Sequence, residues 1–334
     1  MDTASLRILR KALPPIALAI ALAGGIATLR AAPLERGPEP GSRPEPAAAD
    51  AWIVSTRDLP SCSPAEDAQP QYWRLNEDRA WTAADEPAFL AADRPSIPTV
   101  VFIHGNRYDS DDAAREGLDS CRELSELAPG ASFRYVIWSW PADRIRGNRK
   151  DVRAKFVRSE VEALYLARFL SRLHPDVSVC LIGYSYGAHS IVGALRLTAG
   201  GSFAGYALPR RPAARPAPTR AVLLAAATDQ DALAPCAGEP PPLGQIDRIL
   251  VTLNGCDPVL RLYPHLCGRG GPEALGYVCP AGLDASDPNS KKVEVVDVTW
   301  AVGKRHGLSH YQGAPPLRAR LAWYAFLKPD AAAE

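Results

Sequence analysis

Short unbroken runs of apolar and β-branched residues recur along this chain, and each closes on a cluster of glycine or polar residues. Residues 98–103, 221–227 and 249–253 have this character, and 134–140, 177–182 and 293–298 come near it, interrupted by Arg134, Ser139, Ser178, Glu294 and Asp297. A run that is apolar at every position predicts a strand buried on both faces, as in a parallel sheet covered by helices. Between these runs, residues 151–173 place Phe156, Leu164, Leu166, Phe169, Leu170 and Leu173 at helical spacing. The Ala- and Leu-rich stretch to Thr198 is also helix-compatible, with Gly200 and Gly201 to terminate it, and residues 318–327 predict a closing amphipathic helix. Residues 51–56 and 71–75 predict opening strands of a hairpin-like edge around a Pro- and Ser-rich turn. Strands alternating with helices imply an α/β fold: a mostly parallel central sheet with helices on both faces. Residues 203–219 are rich in Pro and Arg and read as a surface excursion too short for a large helical lid, so no large cap domain is expected. There is no internal repeat.

One junction stands out in this pattern. The run ending at Ile182 flows directly into Gly183-Tyr-Ser185-Tyr-Gly187 and then into the second helix. Strand, sharp turn and helix are the context that G-x-S-x-G requires, since a bare match to that pattern is weak. Such a turn places Ser185 in a strained conformation at the carboxyl end of a buried strand, with the two glycines removing Cβ atoms that would collide.

A serine hydroxyl is a poor nucleophile at neutral pH, so it needs an imidazole to take its proton and a carboxylate to hold that imidazole in the right tautomer. Asp257 follows the 249–253 strand in Asn-Gly-Cys-Asp-Pro, where the competing reading is an Asp-Pro turn. His306 and His310 both lie past the last strand, in the chain order Ser, Asp, His. His306 is preferred because glycines at 303 and 307 suit a tight loop over the sheet edge, and His310 is the alternative base. His189 reads as a packed or hydrogen-bonded residue under the elbow, and His174 and His265 as surface or turn residues. An oxyanion would be met by the backbone N–H of Tyr186, at the helix start, and by that of Asn106 in the loop after His104-Gly105. Arg107, Trp138 and Trp140 are candidates to line a substrate pocket, with core packing the equal alternative for the two tryptophans.

At the N-terminus, Arg7, Arg10 and Lys11 precede an apolar run from Leu13 to Leu29. This predicts that residues 1–30 are a signal peptide or an N-terminal membrane anchor, with a small-residue cleavage site at 21–23; both fates place the domain outside the cytoplasm. Residues 31–50 form a Pro/Ala-rich linker expected to be disordered, and 51–330 the folded domain. The net charge of the 334-residue chain is only +1, and nothing in it clusters basic and aromatic residues, which disfavours a nucleic-acid partner. The basic run from 144 to 158 reads as the solvated face of a helix, with an anionic substrate or lipid headgroups as the alternative. Seven cysteines suit an exported protein. Cys180, inside the strand before the elbow, is expected to be a buried free thiol; the other six can pair, Cys267 with Cys279 among them. Cys256, His265, Cys267 and Cys279 lack the paired spacing of structural zinc sites, so no metal is expected.

Together these landmarks resemble the α/β-hydrolase superfamily over most of residues 99–311. More narrowly, His104-Gly-Asn-Arg107, Trp138-Ser-Trp-Pro141, Gly183-Tyr-Ser-Tyr-Gly187 and Gly303-Lys-Arg-His306 look like a bacterial branch of exported or membrane-associated members. The resemblance implies a serine-hydrolase triad of Ser185, Asp257 and His306, no cofactor, and a small-molecule or lipid ester as substrate. Thioesters and amides also occur in the superfamily, so the fold does not choose. Two other functions share the scaffold: a non-catalytic surface-tethered binding module, and an acyltransferase using the same triad. The first requires that the three side chains fail to converge; the second differs only in the acceptor.

Overall fold

In the computed structural model, which describes residues 49–62, 65, 67–265 and 270–328, the apolar runs become six adjacent strands of a nine-stranded sheet, with the 293–298 run at its edge. In chain order the elements are β1 (Asp50–Ser55), β2 (Gln71–Leu75), β3 (Trp81–Ala84), α1 (Glu86–Ala91), β4 (Thr99–Ile103), α2 (Ser110–Leu127), β5 (Arg134–Ser139), α3 (Asn148–Leu170), β6 (Val179–Tyr184) and α4 (Tyr186–Thr198). There follow the short pair β7 (Ser202–Phe203) and β8 (Tyr206–Ala207), then β9 (Thr219–Leu224), β10 (Arg248–Leu253), β11 (Val293–Asp297), α5 (Thr299–Val302), α6 (Leu308–Gln312) and α7 (Pro315–Tyr324). The N-terminal segment, most of the linker and Cys267 lie outside the described residues.

Across the sheet the strands run β11-β10-β9-β6-β4-β5-β1-β2-β3. All pairs from β11 to β1 are parallel, and β2 and β3 close the far edge antiparallel. β4, β5 and β6 are buried at every position, as continuous apolar runs in a covered parallel sheet should be. Successive residues of β5 show the two layers. Ile137 lies against Gly117 of α2, while Trp138 donates its indole N–H to Glu162 of α3 at 2.9 Å. α2 packs with α7 and α3 with α4. This is an α/β-hydrolase fold, and no inserted helical domain interrupts the described residues: between β9 and β10 there is only one 3₁₀ turn, Pro242–Gln245.

The chain order reverses on either side of β4, with β5 on one flank and β6 on the other. Ligand crevices form at such switch points, outside the carboxyl ends of the strands. The loops carrying Gly105 and Ser185 both emerge there.

Several details depart from the hydrophobic pattern. β1 is not an edge strand but is wedged between β5 and β2, with β3 outermost. α2 occupies a stretch that the pattern leaves unassigned. It starts on a good signal, Asp109 accepting from the Asp112 N–H at 2.8 Å, yet its buried face is mainly Ala113, Gly117, Ser120, Cys121 and Ser125 beside Leu124. Small and polar residues suffice because the helix lies close against β5. α3 and α7 each begin and end three residues earlier than expected.

Candidate active site

The elbow is built by close approach. Ser185 has φ 54° and ψ −115°, in a region sparsely populated by residues with a side chain. Its N–H donates to the Leu224 carbonyl at 2.9 Å, and its own carbonyl accepts from the Ala188 N–H at 3.1 Å and the Ala227 N–H at 3.3 Å. β9 and α4 therefore hold the strained residue from both sides, as such conformations need. A Cβ at Gly187 would lie 2.0 Å from the Ile103 carbonyl oxygen, and one at Gly183 would lie 2.7 Å from the Ala188 nitrogen. Only glycine lets the strand and helix pack this tightly.

His306 reaches this serine from the far side of the sheet. Its Nε2 lies 3.2 Å from Ser185 Oγ, and its Nδ1 lies 2.7 Å from Asp257 Oδ2. The loop that delivers it leaves α5 through Gly303 at φ 60° and is tied down where the Tyr184 hydroxyl donates to the His306 carbonyl at 2.6 Å. Asp257 is fully buried. Its Oδ1 accepts the Val259 and Leu260 N–H groups at 2.9 and 3.2 Å, so the turn-forming and histidine-facing roles coexist on its two oxygens. Burial alone would raise the Asp257 pKa. Hydrogen bonds and charge from His306, the Tyr311 hydroxyl and the Leu260 N–H outweigh it and hold the carboxyl below its ordinary value.

Tyr311 and Asn254 are site residues that the sequence reading missed. The Tyr311 hydroxyl donates to the same Asp257 Oδ2 at 2.6 Å, and Asn254 Nδ2 donates to that hydroxyl at 3.1 Å and to the Gly303 carbonyl at 2.9 Å. Asn254 thus bridges the end of β10 to the histidine loop. No short motif announces either residue, because the contacts join segments 57 and 49 positions apart. Replacing Tyr311 with Phe removes one donor from a buried carboxylate and is expected to cost about 1–2 kcal/mol of stability at pH 7. A carboxylate with a depressed folded pKa adds stability above its unfolded value, near pH 4, and loses it as the pH falls through the folded value. Urea unfolding of the two proteins should therefore differ at pH 7, with the gap shrinking as the pH falls below about 4; a gap unchanged with pH would show that the hydroxyl acts by packing alone.

The loop after β4 lies directly against the serine, since a Cβ on Gly105 would approach Ser185 Cβ to 3.1 Å. His104 anchors it. The ring is fully buried, stacked between Tyr108 and Trp140, with Nδ1 2.8 Å from the Gly105 carbonyl and Nε2 accepting the Trp140 backbone N–H at 3.2 Å. Burial lowers its pKa to about 3, so it is neutral and structural. Asn106 turns its side chain away from Ser185, its amide donating to Asp151 at 3.3 Å and its oxygen accepting the Arg107 N–H at 2.8 Å. Arg107, at φ 68°, pairs through Nε with the buried Asp151 carboxylate at 3.0 Å. Asp151 also accepts the Ile145 N–H at 3.1 Å, so this one acid in a basic stretch fastens two loops. Tyr186 opens α4 immediately after Ser185, as the oxyanion reading requires.

Trp138 and Trp140 do not line a pocket. Both are fully buried with their indole N–H groups committed, Trp138 to Glu162 and Trp140 to the His104 carbonyl at 2.8 Å. The basic run from 144 to 158 is a solvated face only in part, because Arg158 is buried and paired with Glu162 at 2.7 Å. His310 is exposed on α6, and no contact joins it to Ser185. His189 is packed, with Nδ1 2.9 Å from Thr228 Oγ1 and its ring against Phe156 and Phe203; His174 and His265 are exposed. Cys180 is a buried free thiol, and so is Cys121 in α2; Cys62, Cys236, Cys256 and Cys279 are free as well, so the expected pairing of these cysteines does not form. Cys256, beside Asp257, is exposed and unexplained by its contacts.

No family model and no curated protein matches this chain. Among solved structures it is similar to an acetylxylan esterase (15% identity, 71% of this chain and 100% of that one, TM-score 0.34). It is similar also to the catalytic core domain of acetyl xylan esterase from Trichoderma reesei (13%, 70% and 98%, 0.34) and to esterase B from Lactobacillus rhamnosis (13%, 83% and 85%, 0.34). With every one of these TM-scores below one half, what the site can do has to follow from its own geometry.

Proposed function

We propose that this chain is a serine hydrolase that cleaves carboxylic esters through an acyl-enzyme on Ser185. One observation carries the reading: the hydrogen-bonded series Ser185 Oγ, His306, Asp257, assembled at a strained elbow from three segments far apart in sequence. Convergence of the three side chains weighs against a non-catalytic binding module.

In the proposed reaction Ser185 Oγ attacks the ester carbonyl carbon while His306 Nε2 takes its proton. Asp257 holds Nδ1–H toward itself, so Nε2 is the free base, and its charge stabilises the imidazolium that forms. The Tyr186 and Asn106 N–H groups meet the oxyanion. As the tetrahedral adduct collapses, the bond to the leaving alkoxide breaks and His306 returns the proton to it. Water then repeats the sequence, releasing the acid and restoring Ser185. Asp151 acts at one remove, by fixing the Asn106-Arg107 turn.

From the basic residues and the apolar run that precede residue 30, we place the domain outside the cytoplasm. The test is turnover of p-nitrophenyl acetate and butyrate by the full chain. Release of p-nitrophenolate with matching carboxylic acid, lost in Ser185→Ala, is expected; transfer of the acyl group to an added alcohol in preference to water would make the enzyme an acyltransferase. Absence of turnover by a folded chain would sink the ester reading.

A further inference from the structure

The strand register draws a line across the end of the sheet opposite Ser185. Asp50, Arg134, Thr99, Val179 and Thr219 are successive partners along it. Beside Val179 and Thr219 a groove of about 1140 Å³ opens, walled by the ends of α3 and α4 and by the Pro- and Arg-rich segment around residues 208–217. Leu170, Leu173, Leu195, Leu208 and Ile246 give it apolar sides, and six cations line it: Arg168, Arg172, Arg210, Arg211, Arg215 and Lys292.

The charge there is compensated only in part, by Asp93 and Asp176 near Arg215 and by Glu86 on Arg172. Asp247 is the one acid among the lining residues, and its Oδ2 is taken by the Thr219 N–H at 2.6 Å. Arg172 pairs with Glu86 at 2.6 Å. Arg215 is held by four neutral carbonyls, those of Leu170, Leu173, His174 and Val177, and so is fixed in place without losing its charge. Arg168 and Lys292 are likewise tied to the carbonyls of Ala65 and Leu243. Arg210 and Arg211 are exposed and make no ion pair among the described residues. A chain with a net charge of only +1 has concentrated positive charge at one end of its sheet.

We propose that this groove docks the domain on an anionic phospholipid surface, the arginines taking headgroup phosphates and the leucines the adjoining carbon chains. A nucleic acid fits less well, because no aromatic side chain lines the groove for bases to stack on. Position favours the membrane. The chain enters the fold at Asp50, four strand steps from Thr219, about 19 Å at the usual spacing between strands. Upstream lie the basic residues Arg7, Arg10 and Lys11, the apolar run to Leu29 and the Pro/Ala-rich linker. That linker, about 65 Å at full stretch, would leave the orientation of a tethered domain open; the groove sets it. Ser185 then faces away from the bilayer and takes its substrate from the aqueous side. This docking is independent of the hydrolase reading.

The test is hydrogen exchange of the segment around residues 203–217 in the full chain, reconstituted in phosphatidylcholine vesicles with and without phosphatidylglycerol. Exchange should slow several-fold only with phosphatidylglycerol, and the protection should fade as salt screens it. Arg210→Glu combined with Arg211→Glu should abolish the protection while leaving the far-UV circular dichroism spectrum and the thermal unfolding midpoint unchanged, which shows that the variant is folded. Equal exchange in the two vesicles would overturn the proposal. Protection by inorganic phosphate in vesicles of phosphatidylcholine alone would overturn it too, in favour of a soluble anion.

Discussion

His306→Ala is expected to lower kcat/KM for a p-nitrophenyl ester by about 10⁴-fold or more, and His310→Ala to leave it within about twofold. The difference follows from geometry: one imidazole lies 3.2 Å from the nucleophile and 2.7 Å from a buried carboxylate, while the other sits exposed on the next helix. Asp257→Asn should cost about 10⁴-fold, because an amide at that position donates to Nδ1 and leaves the proton on the wrong nitrogen. Single and combined substitutions at Ser185, His306 and Asp257 should be strongly non-additive, since each removes the same coupled unit. A His306→Ala protein retaining a tenth of the activity would place the base elsewhere.

The second large effect is on stability. Gly187→Ala places a methyl group 2.0 Å from the Ile103 oxygen and 2.7 Å from its carbonyl carbon. Both are backbone atoms in the middle of the sheet, so relief requires moving β4 or α4 rather than rotating a side chain. We expect a loss of about 4 kcal/mol or more in urea unfolding, in the range reserved for severe packing and backbone conflicts. The loop carrying His104 and Asn106 begins at Ile103, so any protein that still folds should also lose activity. A cost under about 1 kcal/mol would mean that the elbow is looser than it stands here.

The parts of this fold that were legible in the sequence are those whose burial is uniform. β4, β5 and β6 are apolar at nearly every position because both faces of the sheet are covered, and the elbow is a local pattern of two glycines and a serine between a strand and a helix. α2 was illegible because its inner face is made of small and polar residues that sit close to the sheet. On residue type alone Trp138 and Trp140 fit pocket lining and core packing equally; they are core residues, with their indole N–H groups spent on Glu162 and the His104 carbonyl. Asn254, Tyr311 and Asp151 illustrate the remaining gap. Each organises the site through hydrogen bonds between distant segments, and such partners become visible only when the chain is folded.

The most direct test of the account is intact-mass labelling of the full chain with a fluorophosphonate, beside Ser185→Ala. A single adduct on the wild-type chain, mapped to the peptide containing Ser185 and absent from the variant, is the predicted result. A folded wild-type chain that takes no adduct, or an adduct that persists in Ser185→Ala, would contradict it.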